Sequence, residues 1–163
     1  DNRGSIFRPD IDDEVIVGFV NEDPNNAVVL GMLNSSAKPA PIEGSDENNE
    51  KGFFTRSEMK LLFDDEKKSI KIETPAGKTI VLDEDAGEIK MEDENSNSII
   101  MNKDGITIES KGEIVIKATK DVKVEGLNIN MKASAELKAE GSAGVELSSS
   151  AVAVLKGSLV QIN

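Results

Sequence analysis

From Asp104 onward, apolar and polar residues alternate in short bursts that recur about every eight positions: DGITIESK, GEIVIKAT, KDVKVEG, LNINMKAS, AELKAEGS, AGVELSSS, AVAVLKGS and LVQIN. The third and fifth places of the blocks hold Ile106 and Ile108, Ile114 and Ile116, Val122 and Val124, Ile129 and Met131, Leu137 and Ala139, Val145 and Leu147, and Ala153 and Leu155. Residues two apart in an extended chain share a face, so each block predicts one short strand with one apolar face. The Gly, Ser, Ala, Lys and Glu residues between these pairs turn the chain. A helix would need apolar residues three and four apart, which the blocks lack. One such strand cannot bury its face alone, so the repeat predicts a β-solenoid built by stacking.

Upstream the same pairing recurs at wider steps. Ile70/Ile72, Ile80/Leu82, Ile89/Met91, Ile99/Met101 and Ile106/Ile108 have first members 10, 9, 10 and 7 residues apart. Met59, Leu61 and Phe63 open this series, and the run from Asp64 to Lys68 turns it. Shortening turns and smaller residues toward the C-terminus describe a shaft that narrows. Residues 14–20 and 27–31 predict two further strands around a turn at 21–26. Two strands are not stable alone, so they end a barrel that begins outside this chain or pack on something else. The resulting division is 1–36 as barrel end, 37–54 as a Pro-rich, then acidic linker, 55–104 as the base of the shaft, and 105–163 as the octad shaft and tip. The chain opens at Asp1 without a Met, as a processed or cut fragment would.

Charge sharpens this picture. The chain of 163 residues carries 31 acidic and 19 basic side chains. Residues 1–100 hold 23 and 11 of them, and residues 101–163 hold eight of each. An acidic surface without a basic stripe argues against a nucleic-acid backbone and against anionic lipid as docking partners. Cys, His, Trp and Tyr are absent and five Phe are the only aromatics, which removes disulfides and thiolate or imidazole metal sites. A column of Ile, Val, Leu and Ala needs no large aromatics. The apolar runs are too short to span a bilayer, and no signal-peptide pattern is present.

Catalytic chemistry has little to work with. Asp64-Asp65-Glu66 and Asp83-Glu84-Asp85 fall in turns, where solvated carboxylates are expected, and Asp12-Asp13-Glu14 precedes the first strand. Asp93-x-Asn95-x-Asn97 opens like a calcium loop, yet Ser98 stands where a sharp-turn Gly belongs and Ile99, Ile100 and Met101 follow. It reads as a turn with Asx caps. No Ser or Lys sits near a plausible base. The expectation is a non-enzyme without cofactor or metal.

The string formed by Phe7, Pro9, Asp13, Glu14, Val15, Val17, Gly18, Phe19, Asp23, Pro24, Val29, Leu30, Gly31, Leu33 and Asn34 resembles the end of the oligonucleotide/oligosaccharide-binding (OB) barrel of tail spikes. These are the VgrG proteins of type VI secretion and the baseplate spikes of phage tails and related particles. Thr55-Arg56-Ser57, Leu62-Phe63-Asp64-Asp65, Thr74-Pro75-Ala76-Gly77, the run from Gly105 to Ser110 and the ending from Lys156 to Asn163 are similar to the same family in the same order.

The resemblance implies an all-β chain: a partial OB-fold barrel end followed by an intertwined triple-stranded β-helix, a triangular prism shared by a homotrimer. The periodicity alone fits a single-chain coil equally well. In the trimer, the fourteen apolar octad residues from Ile106 to Leu155 would form the core. Implied partners are baseplate hub or tube proteins on the N-terminal side and a PAAR-type cap at the tip, with only mechanical contact with membrane. Such a particle assembles in the cytoplasm and is ejected toward a target envelope. The alternative is a trimeric tail-fibre or adhesin-type β-helix that binds a surface receptor.

The tip carries its own signal. In the last block the inward places fall to Gln161 and Asn163, while Val160 and Ile162 take the other parity. Either the strand changes register here or the prism ends with apolar residues and unpaired strand edges exposed on a flat face. In the second case the resemblance implies that Leu159, Val160, Gln161, Ile162 and Asn163 receive the cap.

Overall fold

The computed structural model describes residues 3–162 and contains nine short strands. The chain divides into two units, one ending at Val115 and the other beginning at Ile116. The first unit holds all nine strands, in two open sheets.

Strands β1 (Val15–Phe19) and β2 (Ala27–Met32) form an antiparallel hairpin. Ile16 stands opposite Gly31 and Val17 opposite Val29, so Leu30 bulges out of the ladder. A Cβ at Gly18 would lie 3.1 Å from Leu30 Cδ1, and the missing side chain lets Leu30 cross the hairpin there. The connection is a 3-10 turn, Val20–Glu22, followed by Asp23, whose carboxylate accepts the Asn25 backbone N–H at 2.9 Å and the Asn26 carboxamide at 2.9 Å.

The second sheet is a seven-stranded antiparallel meander. Its strands are β3 (Glu50–Phe54), β4 (Lys60–Asp64), β5 (Ser69–Glu73), β6 (Thr79–Asp83), β7 (Glu88–Glu92), β8 (Ser98–Asn102) and β9 (Gly105–Glu109), each paired with its neighbour in sequence. The five-residue strands follow directly from the paired apolar residues, and tight turns between them fix the register. Residues 50–54 correct the linker boundary: they form β3, with Phe53 opposite Leu61 and Lys51 opposite Phe63. Within this unit the Phe7 ring stacks on Phe53 at 5.3 Å and 11°, and Asp10 pairs with Arg56 at 3.2 Å. These contacts tie the segment before β1 to the first strand of the meander.

Beyond β9 the expectation of one strand per octad is not met within the chain. Residues 110–162 form no strand. A strand exists through hydrogen bonds to a neighbour; the first octad finds one in β8, and none of the later octads finds one in its own chain. Among the described residues, a single-chain coil of stacked octads is thus absent. Neither sheet closes into a barrel.

The chain exposes 15316 Å². A self-contained monomer of its 17.5 kDa would expose about 7900 Å² by the usual surface–mass relation. Among the described residues no hydrophobic side chain is buried. The fold has its sheets, but not yet a core.

Candidate functional site: an open apolar sheet face

The register of the meander lines its apolar residues into two rows. One runs Phe53, Leu61, Ile72, Ile80, Met91, Ile99, Ile108, and the other Phe63, Ile70, Leu82, Ile89, Met101, Ile106. Each member faces the next directly across a strand boundary, the arrangement in which sheet side chains touch. Both rows stay open: Ile72 is 45% exposed and Ile106 69%. A shallow groove of about 470 Å³ lies against Ile72, Ile80, Met91 and Ile99.

The opposite face is charged and, unexpectedly, better covered. In β5, Ser69, Lys71 and Glu73 are half-buried while Ile70 and Ile72 are exposed, and β7 repeats the inversion. Its central row alternates Leu62, Lys71, Val81, Lys90 and Ile100. Lysine stems lie between aliphatic groups while their ammonium ends reach carboxylates. Lys71 meets Glu73 at 3.1 Å, Lys60 meets Glu73 at 3.7 Å and Lys90 meets Glu92 at 2.7 Å. The hydrogen bond from Lys71 holds the Glu73 carboxyl below its ordinary value, and the bond to Glu92 raises Lys90. This face is satisfied by solvent and its own ion pairs; the apolar face is not.

The acidic clusters are turn builders. Asp64 accepts the Lys67 backbone N–H and ammonium, each at 3.0 Å, and these bonds hold its carboxyl below the usual value. Asp83 accepts the Ala86 N–H at 2.8 Å. Asp13 accepts the Asp10 N–H at 2.8 Å and pairs with Lys38 at 3.2 Å. Asp93 caps its turn by accepting the N–H groups of Asn95 and Asn97 at 2.9 and 2.8 Å, the Asx geometry expected for this stretch. Among the described residues, no three His, Cys, Asp or Glu side chains gather as a metal site would require.

The fourteen octad residues divide between the two units. Ile106 and Ile108 sit on β9 in the two rows of the open face, continuing them to the edge of the sheet. Ile114 follows in the same unit, and the remainder, from Ile116 to Leu155, lie in the strandless second unit with exposed side chains. Leu159 and Ile162 at the tip are 81% and 88% exposed; Val160 and Gln161 are also exposed. Asn163 lies outside the described residues. Two features escape the apolar pattern. Phe53 heads one row from a strand hidden by Lys51-Gly52, and the carboxamide of Asn97 reaches Ser110, 13 residues on, at 2.9 Å.

No curated protein matches the chain. Residues 1–33, which include the β1–β2 hairpin, match the model of a family described as the Type VI secretion system/phage-baseplate injector OB domain, and over that stretch the chain is similar to a baseplate spike component.

Proposed function

We propose that this chain is a non-enzymatic structural component of the central spike of a contractile injection machine, such as a type VI secretion system, phage tail or extracellular injection particle. Three copies assemble through the open apolar face of the meander and the octad ladder. The hub or tube of the baseplate lies on the N-terminal side, and the residues from Leu159 to the C-terminus receive a PAAR-type cap or effector. The assembled particle leaves the cytoplasm when the sheath contracts and meets the target envelope mechanically.

The observation that carries this reading is the pair of apolar rows, one of seven strands and one of six, left largely open to solvent and continued in sequence by the octads. A face of this kind is stable only when covered, and a repeating ladder is covered most completely by copies of itself in the same register. The match over residues 1–33 supports the machine. Interchain strand pairing would satisfy the free edges and let the shaft carry axial load. Among the described residues no helix is long and apolar enough to cross a membrane.

Light scattering tests the assembly: a mass of three chains is expected, and a monomer mass overturns it. Retention of a PAAR-type cap on the immobilised full chain tests the tip. Binding should disappear when Leu159 and Ile162 are replaced by Asp, and undiminished retention by that variant removes the tip from the reading.

A further inference from the structure

The turn between β7 and β8 is connected to the exit of β9 by a relay of hydrogen bonds. Asp93 Oδ1 accepts the N–H of Asn97 at 2.8 Å, and Asp93 Oδ2 accepts the Asn97 carboxamide N–H at 2.8 Å. The Asn97 Oδ1 then accepts two donors, the Ser110 hydroxyl at 2.9 Å and the Lys111 N–H at 2.9 Å. Ser110 Oγ in turn accepts the N–H of Gly112 at 3.0 Å. Asn97 and Ser110 are half-buried, unlike most turn residues of the meander.

The position of this relay matters more than its strength. The β8–β9 ladder ends at the pair Ser98 and Glu109. From there to Ile114, no strand partner in the chain holds the backbone in register. A slip of one residue in that interval would move every later octad pair to the other face. Asn97 suits the task chemically: its oxygen accepts twice while its NH2 is held by a carboxylate, so the amide has one satisfied orientation. Asp at 97 would set a second carboxylate against Asp93, and Ala would leave the Lys111 N–H without this acceptor.

We propose that Asn97 is a positioning residue that sets the register in which the octad ladder begins, holding Ser110 and Lys111 so that Ile114 continues the face of Ile106 and Ile108. The proposal rests on the reading of the octads as strands covered in an assembly.

The chain has no cysteine, so Ile114→Cys and Val115→Cys each introduce one thiol into the full chain, and alkylation rates report which side is covered. With Asn97 present, the thiol at 114 should be protected and the thiol at 115 reactive. Adding Asn97→Ala should raise the alkylation rate at 114 about tenfold, the combined net effect of losing the two bonds from Ser110 and Lys111. Ser110→Ala, which leaves the Asp93 turn intact, should act in the same direction, and Ser110→Thr should restore protection. Unchanged protection at 114 in both Asn97→Ala and Ser110→Ala overturns the register role while leaving the assembly intact. Equal reactivity at 114 and 115 with Asn97 present instead sinks the covered-octad reading, and the register role with it.

Discussion

Ile72 of β5 and Ile80 of β6 are direct cross-strand partners on the apolar face of the meander, and 45% of Ile72 remains accessible to solvent. Burying an aliphatic side chain fully contributes roughly 1.5–3 kcal/mol, and this pair has gained only part of that. The same shortfall recurs along both rows, so a cover over this face would stabilise the fold at many positions at once. Ile80→Asp should reduce the mass in solution from three chains to one. Val81→Asp, on the charged face between Lys71 and Lys90, should leave the mass unchanged. Equal effects of the two variants would rule out the apolar rows as the interface.

The octad ladder makes the same demand further along. Val145→Asp places a carboxylate among residues expected to be covered, where an unpaired charge is strongly unfavourable. Trimer assembly should be lost, as seen by light scattering. A trimer of undiminished thermal stability would mean that Val145 faces outward.

Gly52 offers a test of β3 that does not depend on assembly. A Cβ built there falls 2.4 Å from the Leu61 carbonyl oxygen and 2.9 Å from Leu62 Cδ2. The first contact is with backbone, which cannot swing aside. Gly52→Ala should destabilise the β3–β4 pairing by about 1–3 kcal/mol, the usual range for overpacking. Faster amide hydrogen exchange in β3, with β6 and β7 unchanged, is the expected signature. Unaltered exchange in β3 would show that the close approach relaxes freely.

The ionic pattern sets a pH window. The carboxyls of Asp64, Glu73 and Asp93 lie below their ordinary values of 3.8, 4.5 and 3.8 through their turn and lysine hydrogen bonds. Their contribution to stability is present above those values and is lost as pH falls through the depressed folded ones. Lys67 and Lys90 are raised above 10.5 by Asp64 and Glu92. Their contribution is complete below 10.5 and is lost as pH rises through the folded values. Tm should therefore be flat between pH 4.5 and pH 10.5 as far as these groups are concerned, and fall on either side. Asp93→Asn should flatten part of the acid limb; an identical limb in that variant would exclude Asp93 as a contributor.

Much of the meander was legible because period-two pairs such as Ile89/Met91 mark strands and the acidic stretches between them mark turns. β3 was not, because Lys51 and Gly52 interrupt the alternation and only the partner strand β4 reveals that Phe53 faces Leu61. The octad pairs were equally visible as a pattern, yet residues 110–162 form no strand alone. Periodicity reports which face wants cover, whereas strand formation needs a neighbour with matching hydrogen bonds. The Asn97 relay was legible only in half: the Asx turn follows from Asp93 and Asn97, but the reach to Ser110 depends on how β8 and β9 lie together. Apolar spacing carries no information about such a contact.

Pairing each meander strand only with its immediate neighbour in sequence has a kinetic consequence. Contacts this local close small loops, so the hairpins can form one after another on microsecond scales as the chain emerges. The octads after β9 have no such local route, and in the proposed assembly they wait for encounters between chains. Folding should therefore separate into a fast phase independent of protein concentration and a slow one that accelerates with it, and a single concentration-independent phase would contradict this order. In that order of events the meander would act as a ready-made template, aligning incoming chains before the later octads find their partners.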